Sequence, residues 1–399
     1  MGELVDARMA AERLGVDIRT LYAYVSRGSL RRLRGPDGRS SRYDSDDLDL
    51  LAQRSRPRTL PRPTASIDLV IATRVSTVTD GVVRYRGKDV LDLVAAGASF
   101  EVVADLLWRD AAGDWPHPAP ADGAVAGFLG ALGTSVPVLQ RFAIAIAALP
   151  ASTPPASTLP ASAPPAPQWA AYGRQLITCL TEVGGGPRPA SGACDLPRGV
   201  AGGLWERWSP LRPTPARVRA LNMALVLLAE HELALSTLSV RVAASARAAP
   251  GACVLAGLST LSGALHGGVG RVVHDMLAAG ASGGGPELPP RAVAFGHLVH
   301  RHGDPRTGPL LGAVFGFATP ADRDLIEGTR RAAQGQPNVD FALGALTYAA
   351  RMPPEAATAI FAIARTAGWI AHAAEEYGEP PLRFRGQAFR KARTRPAPG

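Results

Sequence analysis

Four short segments combine histidine, arginine or aspartate with glycine or apolar neighbours, a pattern typical of acid–base and anion-binding sites. His266 precedes two glycines, which let a ligand approach the backbone closely. His297 lies in a segment rich in histidine, arginine and glycine, and His231 stands between two glutamates. Asp340 lies at the start of an apolar helical pattern. Side chains of these types can donate protons, accept protons or bind anions.

Each segment also has a structural interpretation. An aspartate just before an apolar helix is more often an N-cap than a base, as Asp340 could be. A histidine at a glycine turn, such as His266, is more often hydrogen-bonded structure. His297, His300 and His302 could ligate a metal, but no carboxylate or cysteine stands at a recognised spacing. We therefore expect no metal site and no bound cofactor, and each segment taken alone favours the structural interpretation.

Helical patterns dominate the chain beyond residue 64, so these side chains must be positioned by an all-α domain of about 320 residues. Predicted helices cover residues 89–95, 100–108, 138–148, 215–228, 252–261, 271–278, 319–333, 341–350 and 354–376. The exception is a predicted β-hairpin over residues 75–85, with its turn at Asp80-Gly81. This pattern predicts an all-α domain with one small hairpin.

A proline-rich segment interrupts the helical patterns. Residues 150–167 contain 7 prolines and a short Pro-Ala-Ser-Thr repeat. Proline at this density cannot continue a helix, and the small side chains offer little surface to bury. We expect an extended surface loop; a proline-recognition motif is the alternative.

The N-terminal segment has the signals of two short helices. Asp6 can cap a helix that ends at Gly15, and Asp17 can cap a second helix over residues 18–26. Residues 28–43 form a basic, turn-rich predicted hairpin, and Ser45 can begin a third helix. Two helices joined at a glycine turn are typical of the helix-turn-helix unit, whose second helix enters the major groove.

This segment resembles the winged helix-turn-helix of the MerR type, through Ala10-Ala-Glu-Arg-Leu-Gly-Val16, Thr20-Leu-Tyr-Ala-Tyr-Val25, Gly28 and Arg42-Tyr43. The resemblance implies a DNA-binding domain over residues 1–52, followed by a Pro/Arg-rich linker over 53–64. Its contacts with DNA are assigned to Arg19, Thr20, Tyr22 and Arg27. The alternative is a small three-helix cap or dimerisation piece.

Charge and composition narrow the class of protein. The net charge of +9 divides into +4 over residues 1–63 and +6 over residues 383–399, so the body between them is near neutral. Only 19% of the residues are charged, which argues against wholesale disorder. No apolar stretch approaches the ~20 residues of a membrane span. We expect no signal peptide, because residues 1–6 carry acids and no apolar core segment, and three widely spaced cysteines exclude a disulfide framework. We expect a cytoplasmic protein without membrane contact.

Residues 67–389 resemble the citrate synthase family through several motifs in the family's order. They are Arg84-Tyr-Arg-Gly87 with Ser99–Leu107, His231-Glu-Leu with Ser236-Thr, Leu261-Ser-Gly-Ala-Leu-His-Gly-Gly268, Phe295-Gly-His-Leu-Val with Asp304-Pro-Arg306, Pro337-Asn-Val-Asp-Phe341, and Ala364-Arg-Thr-Ala-Gly-Trp-Ile-Ala-His372. The resemblance implies large and small helical domains over residues 65–389, with the small domain at roughly 251–350, and a basic tail over 390–399. It also implies a homodimer.

The resemblance assigns a role to each chemical group. It implies that acetyl-CoA, a co-substrate, is condensed with oxaloacetate. Asp340 would remove a proton from the acyl methyl group, His266 would hydrogen-bond or protonate the thioester carbonyl, and His297 would protonate the ketone. The substrate-binding residues would be His231, Arg306, Arg365 and, from the partner subunit, Arg383; Arg301 would contact CoA phosphates. Arginine suits the oxaloacetate carboxylates because its planar head makes two-point contacts.

Several positions depart from the family's pattern. Glu230 stands where the family usually has Asp, Ala234 where it often has Asn, and Arg383-Phe-Arg385 replaces an Arg-Pro-Arg motif. The proline-rich insertion and the N-terminal segment are not family features. Two other functions stay open: a 2-methylcitrate synthase using propionyl-CoA, and a transcriptional regulator whose synthase-like domain senses CoA esters or oxaloacetate. The complete acid–base set argues against a pure sensor, because sensing requires binding alone.

Overall fold

The described residues fall into two compact units. A computed structural model describes residues 4–14, 16–26, 30–35, 40–45, 47–48, 69–79, 81–111, 113–115, 136–149, 166–186, 199–263, 266–283, 294–296, 300, 303–333 and 335–385. The units are Met1–Ala72 and Thr73–Gly399. None of the helices within those described ranges is long and apolar enough to cross a membrane.

The first unit combines two helices with a small antiparallel sheet. Its elements are β1 (Leu4–Asp6), α1 (Ala7–Leu14), α2 (Ile18–Ser26), β2 (Leu33–Arg34) and β3 (Ser41–Asp44), and the strand order is β1-β3-β2. Asp6 accepts a hydrogen bond from the backbone N–H of Met9 at 2.8 Å, and Asp17 accepts one from Thr20 at 2.7 Å. The two predicted caps and the predicted hairpin are confirmed.

A separate core holds the first unit together. It contains Val5, Ala10, Ala11, Leu21, Leu30, Tyr43 and Leu48. Strand β1 was not expected, because three residues carry too little alternation to predict a strand from sequence. The helix predicted to begin at Ser45 lies largely outside the described residues.

The second unit opens with the predicted hairpin and continues as an array of helices. Strands β4 (Ser76–Thr79), β5 (Val82–Tyr85) and β6 (Lys88–Asp89) form an antiparallel sheet in that order. The helices of the described residues are α3 (Val90–Ala95), α4 (Phe100–Trp108), α5 (Val138–Ala148), α6 (Ala166–Gly184), α7 (Val200–Trp208), α8 (Pro215–Leu228), α9 (Leu235–Ser245), α10 (Pro250–Leu261), α11 (Val269–Ala281), α12 (Thr307–Phe315), α13 (Pro320–Ala332), α14 (Val339–Ala349) and α15 (Glu355–Tyr377). The mostly helical fold is confirmed.

Helix α15 forms the centre of the second unit. Of its 23 residues, 19 are buried, and it packs against α4, α6, α8, α9, α10 and α11. Its sequence is rich in alanine, which has the highest helix propensity and allows close approach of neighbouring helices. A helix surrounded by other helices places any polar side chain that it carries in the protein interior.

The structure corrects one predicted boundary and adds four helices. Helix α6 begins at Ala166, so the last two residues of the predicted loop 150–167 belong to its first turn, where proline is tolerated. The rest of that segment lies outside the described residues. Helices α6, α7, α9 and α12 were not predicted, because two glycines in α7 and the Thr-Gly-Pro start of α12 mask the helical signal.

Candidate functional site

Asp340 lies in the first turn of α14 with its side chain half-buried. The cap of this helix is Asn338, whose side chain accepts hydrogen bonds from the backbone N–H of Asp340 at 3.0 Å and of Phe341 at 3.4 Å. The alternative that Asp340 is the N-cap is therefore wrong. Burial raises the pKa of Asp340 to about 6, although the positive charges of Arg306 and Arg365 oppose this shift. A carboxylate with this pKa can take up and release a proton near neutral pH.

Arg306 is buried at the N-terminus of α12, where it makes a two-point ion pair with Asp304. Nε donates to Oδ1 at 2.9 Å and Nη2 donates to Oδ2 at 2.8 Å. Asp304 also accepts the backbone N–H of Val339 at 3.0 Å, which joins the start of α12 to the start of α14. Burial alone would raise the pKa of Asp304, but the Arg306 guanidinium lowers it to about 2. The ion pair orients Arg306 and leaves Nη1 outside it.

One face of α15 carries three buried charged or titratable side chains, together with Phe361 and Gly368. At intervals of three or four residues, this face presents Phe361, Arg365, Gly368, His372 and Glu376. Arg365 Nε donates to the carbonyl oxygen of Leu228 at 3.0 Å, and its guanidinium lies 4.9 Å from the centre of the Phe361 ring. These contacts fix the buried cation at the end of α8.

His266 precedes α11 in a tight loop. Its Nε2 lies 2.8 Å from Oγ of Ser236, and its ring meets Phe361 edge-on at 6.2 Å. Burial lowers the pKa of His266 to about 4, and the charge of Arg365 adds to this shift, so the ring is neutral near pH 7. A Cβ at Gly267 would lie 2.5 Å from the carbonyl oxygen of Leu261, so the loop requires glycine there.

His231 follows the C-terminal end of α8 and is buried. Its Nε2 lies 2.9 Å from Nε2 of His300, and the two rings meet edge-on with their centres 5.1 Å apart. His300 is buried as well, and burial lowers its pKa. The two imidazoles therefore form a hydrogen-bonded pair.

Glu230, the residue before His231, is fully buried. Its Oε1 accepts hydrogen bonds from Oγ of Ser76 and from Nε2 of His372, each at 3.2 Å. Burial would raise the pKa of Glu230, but His372 and Arg365 lower it below the ordinary value. A Cβ at Gly368 would lie 1.9 Å from Oε2 of Glu230, so α15 can approach this carboxylate only with glycine at that position.

Arg241 determines which ring nitrogen of His372 accepts a hydrogen bond. Its Nη1 lies 2.9 Å from Nδ1 of His372. A guanidinium only donates, so Nδ1 must accept, Nε2 carries the proton, and His372 donates to Glu230. The backbone around His231 is thus connected to a buried cation on α9.

Two glutamates of α15 complete this network, which we call the buried ionic network (Glu230, His372, Arg241, Glu375, Glu376 and Arg383). Arg241 donates to Glu376 through Nε and to Glu375 through Nη1, both at 2.8 Å. Arg383 donates to Glu376 through Nε at 2.5 Å and through Nη2 at 2.6 Å. The carboxylate of Glu376 thus accepts from two arginines.

The family model for the C-terminal domain of citrate synthase matches residues 68–385. This chain belongs to the citrate synthase family. A curated relative, the citrate synthase of Mycolicibacterium smegmatis, is 33% identical over 180 residues, which cover 41% of this chain and 48% of that enzyme. The aligned region thus spans about half the length of this relative.

Solved citrate synthase structures share the fold. The enzyme of Pyrobaculum aerophilum has a TM-score of 0.66 at 19% identity, covering 92% of this chain and 97% of that one. The enzyme of the thermophilic archaeon Thermoplasma acidophilum was solved as a ternary complex with carboxymethyl coenzyme A and oxaloacetate. It has a TM-score of 0.63 at 21% identity, covering 83% of this chain and 96% of that one. At these identities the likeness shows the fold of the citrate synthase family.

The structure gathers part of the residue set that the citrate synthase resemblance assigned. The charge of Arg365 acts to lower the pKa of both His266 and Asp340, and the charge of Arg306 acts to lower that of Asp340. These four groups therefore lie near one another. Arg383 lies in an ion pair with Glu376 of its own chain, and its contact with a partner subunit stays a prediction.

Some of the other predicted site residues lie outside the described ranges of the chain, and some lie within them. His297, Arg301 and Arg27 lie outside the described residues. Arg19 and Tyr22 are exposed on α2, and Thr20 is half-buried. Among the residues that the structure describes, no group of three histidine, cysteine, aspartate or glutamate side chains could hold a metal ion.

Three site residues gained their significance only from the structure. His300 was considered solely as a metal ligand, although it contacts His231. Ser236 stood in a motif without an assigned role, although it contacts His266. Asn338 precedes an apolar helix, which is an N-cap signal that could have freed Asp340 from that role in advance.

Proposed function

We propose that this chain is an active citrate synthase that condenses acetyl-CoA with oxaloacetate. The observation that carries this proposal is Asp340, a half-buried carboxylate whose pKa is raised to about 6 beside two buried arginines. A neutral histidine, His266, lies near Arg365, one of these two arginines. This combination supports acid–base chemistry on an anionic substrate better than it supports binding alone.

The first step of the proposed reaction forms a nucleophile from the acyl methyl group. Asp340 takes a proton from this carbon, and the resulting electron pair moves toward the thioester oxygen. His266 donates a hydrogen bond to that oxygen: Oγ of Ser236 can donate to Nε2, which leaves Nδ1 to carry the proton. Each such acid–base contribution is worth roughly 10²–10⁴-fold in rate.

The second step forms the carbon–carbon bond. The enol carbon attacks the ketone carbon of oxaloacetate, whose oxygen takes a proton that we assign to His297. Arg306 and Arg365 would bind the two carboxylates, and His231 would contribute a third contact. Hydrolysis of the resulting citryl-CoA releases citrate and CoA. Both arginines are buried and held by fixed partners, which favours binding without large rearrangement.

The length of the acyl group distinguishes two reactions of the same type. Propionyl-CoA differs from acetyl-CoA by one methylene, which changes specificity by only about 1–3 kcal/mol. A 2-methylcitrate synthase is therefore the alternative within the same reaction type.

The deciding experiment measures CoA thiol release with oxaloacetate and either acetyl-CoA or propionyl-CoA. We expect release that depends on oxaloacetate, and the ratio of kcat/KM for the two thioesters identifies the acyl substrate. Release at the level of the background with both thioesters would refute the enzyme proposal. Oxaloacetate binding without turnover would instead favour the sensor.

We also propose a homodimer in the cytoplasm, with Arg383 or Arg385 completing the partner's site. Arg383 is held by Glu376 at the end of α15, and Arg385 is exposed two residues further on. Sedimentation of the full chain tests the dimer. Activity restored by mixing an inactive Asp340→Asn chain with an inactive Arg383→Ala chain would support a shared site.

A second candidate function, DNA binding by residues 1–52, is supported by the capped pair α1 and α2 and the β2–β3 hairpin, which have their own core. Exposed Arg19 and Tyr22 on α2 are suited to phosphates and base edges. Footprinting on DNA near the gene's own promoter tests this function. Specific binding should weaken with salt and on Arg19→Ala, whereas affinity without salt or sequence dependence would favour a structural cap.

A further inference from the structure

His300 pairs with His231, and neither the family resemblance nor the proposed mechanism assigns His300 a role. The two Nε2 atoms lie 2.9 Å apart, and the rings stand at 66° to each other. The exposed fractions are 8% for His231 and 3% for His300. Two buried imidazoles in direct contact can share only one proton between these nitrogens, so the state of each ring constrains the other.

The backbone on both sides of His231 is held independently of His300. The Tyr85 hydroxyl donates to the carbonyl oxygen of Glu230 at 2.8 Å and accepts the N–H of the same residue at 3.2 Å. On the other side, Glu232 has a φ of 53° and donates its N–H to Oγ of Ser76 at 3.2 Å. The main chain of His231 is therefore fixed, and the orientation of its ring depends on side-chain contacts.

The surroundings of His300 favour the neutral form of its ring. Burial lowers the pKa of His300, the charge of Arg306 lowers it further, and Asp304 opposes both. In a neutral imidazole one nitrogen carries the proton and the other accepts. When His300 fixes the role of Nε2 in His231, it also fixes whether Nδ1 of His231 donates or accepts.

We propose that His300 is a positioning residue for the 2-oxo dicarboxylate site, which holds the His231 ring and sets the tautomer that faces the substrate. This inference rests on the proposed function, in which His231 contacts oxaloacetate. It assigns His300 an effect on oxaloacetate binding and none on the acyl-CoA. A merely structural histidine would affect both substrates or neither.

The test compares His300→Phe with His300→Gln in the full chain. Phenylalanine keeps a planar ring but has no nitrogen, whereas the glutamine amide can place either a donor or an acceptor near the position of Nε2. Calorimetric titration with oxaloacetate gives Kd, and thiol release gives the KM of each substrate. We expect His300→Phe to raise Kd and KM for oxaloacetate about tenfold, the loss of one well-placed hydrogen bond. The acyl-CoA KM should change less than about twofold, and His300→Gln should recover most of the affinity.

His274→Phe is the matched control, because His274 is also buried and hydrogen-bonded, to Oγ1 of Thr347 at 3.1 Å, but has no role in the proposed site. It should leave oxaloacetate binding unchanged. The inference is overturned if folded His300→Phe binds oxaloacetate like the unmodified protein, or if His274→Phe weakens binding equally. If His300→Phe does not fold, His300→Gln is compared with His300→Asn, whose amide mimics Nδ1; equal affinities would then refute the role of Nε2.

The same measurements separate this inference from the proposed function. A chain that binds oxaloacetate without releasing CoA refutes the synthase activity, yet its Kd values still decide the role of His300. A chain that binds no oxaloacetate refutes both.

Discussion

Carboxylates have opposite environments in two regions of the second unit. In the buried ionic network, Glu376 accepts hydrogen bonds from Arg241 and Arg383, so two arginines in direct contact balance its charge. At the candidate site, Asp340 is partly buried beside arginines whose own contacts lie elsewhere, and its pKa is raised to about 6. Burial raises the pKa of a carboxylate, and a cation opposes this effect more strongly the closer it lies.

This difference separates side chains that stabilise the fold from side chains prepared to react. Removing a member of a compensated network leaves a buried charge unpaired, which destabilises the protein. Removing a carboxylate that is itself unfavourably placed abolishes chemistry and stabilises the fold. The two regions should therefore respond to mutation with opposite signs.

The largest effect is expected for Asp340→Asn, which removes the proposed base. Turnover should fall by roughly 10²–10⁴-fold because no group at this position can take the methyl proton. The thiol-release assay measures this loss. Oxaloacetate affinity should stay within about threefold, since the arginines are retained. Asp275→Asn, at a side chain that is 54% exposed, is the control and should leave turnover unchanged.

The same variant should be more stable than the unmodified protein at pH 7. The folded pKa of Asp340, about 6, lies above the value of about 3.9 in the unfolded chain, so the carboxylate costs folding energy as pH rises from about 4 to above 6. Asparagine removes this cost, about 1 kcal/mol after allowance for solvent screening. Thermal melting at pH 7.5 and pH 4 should show a gain that shrinks at the lower pH; a loss at pH 7.5 would contradict the comparison.

Arg241→Leu should produce the opposite outcome. This substitution leaves Glu376 with one arginine partner and removes the donor to His372, so the free energy of unfolding should fall by about 3–5 kcal/mol. Chemical denaturation measures the change. In the control Arg271→Leu, the partner Asp275 lies in an exposed pair, and the change should stay below about 0.5 kcal/mol. Equal effects of the two substitutions would remove the distinction between buried and exposed pairs.

The pH dependence of the reaction gives a fourth test. Asp340 acts as a base only when ionised, so kcat/KM for the acyl-CoA should decline as pH falls through about 6. The decline should approach tenfold for each further pH unit. Because the pKa of His266 is about 4, its protonation should not contribute above pH 5. A profile that stays flat down to pH 5 would show that Asp340 is not the base.

The smallest effect is expected for Ser236→Ala. The hydroxyl of Ser236 contacts His266 at 2.8 Å. Its loss should lower kcat about 3- to 10-fold, because no hydrogen bond would then hold the His266 ring in one tautomer. Ser239→Ala is a control on the same helix, because the Ser239 hydroxyl donates to the carbonyl oxygen of Leu235. A similar fall in kcat for both variants would point to a general effect on α9.

The sequence was most informative where local signals act alone. Helices α4, α5 and α8 match their predicted limits, and the caps Asp6 and Asp17 hold as expected. These features depend on neighbouring residues, whose preferences can be read within a few positions. Helix α9, with its serines and threonine, formed because tertiary packing overrode weak propensity.

The candidate site divides in the same way. The types and order of His266, Asp340, Arg306 and Arg365 were accessible from motifs. The raised pKa of Asp340 and the contact of His300 with His231 were not, because they depend on burial and on segments 69 residues apart. No sequence pattern gives the solvent exposure of a particular carboxylate.

The polar face of α15 has a consequence for how this sequence can vary. Arg365, His372 and Glu376 contact Leu228, Glu230 and Arg241 from one side of a single helix, and Gly368 on the same side lets Glu230 approach. Each residue turns about 100° around the helix axis. Substitutions elsewhere on α15 can be absorbed singly, but inserting or deleting one residue near its middle would rotate half of these groups away from their partners at once. Insertions and deletions within this helix should therefore be tolerated less well than single substitutions.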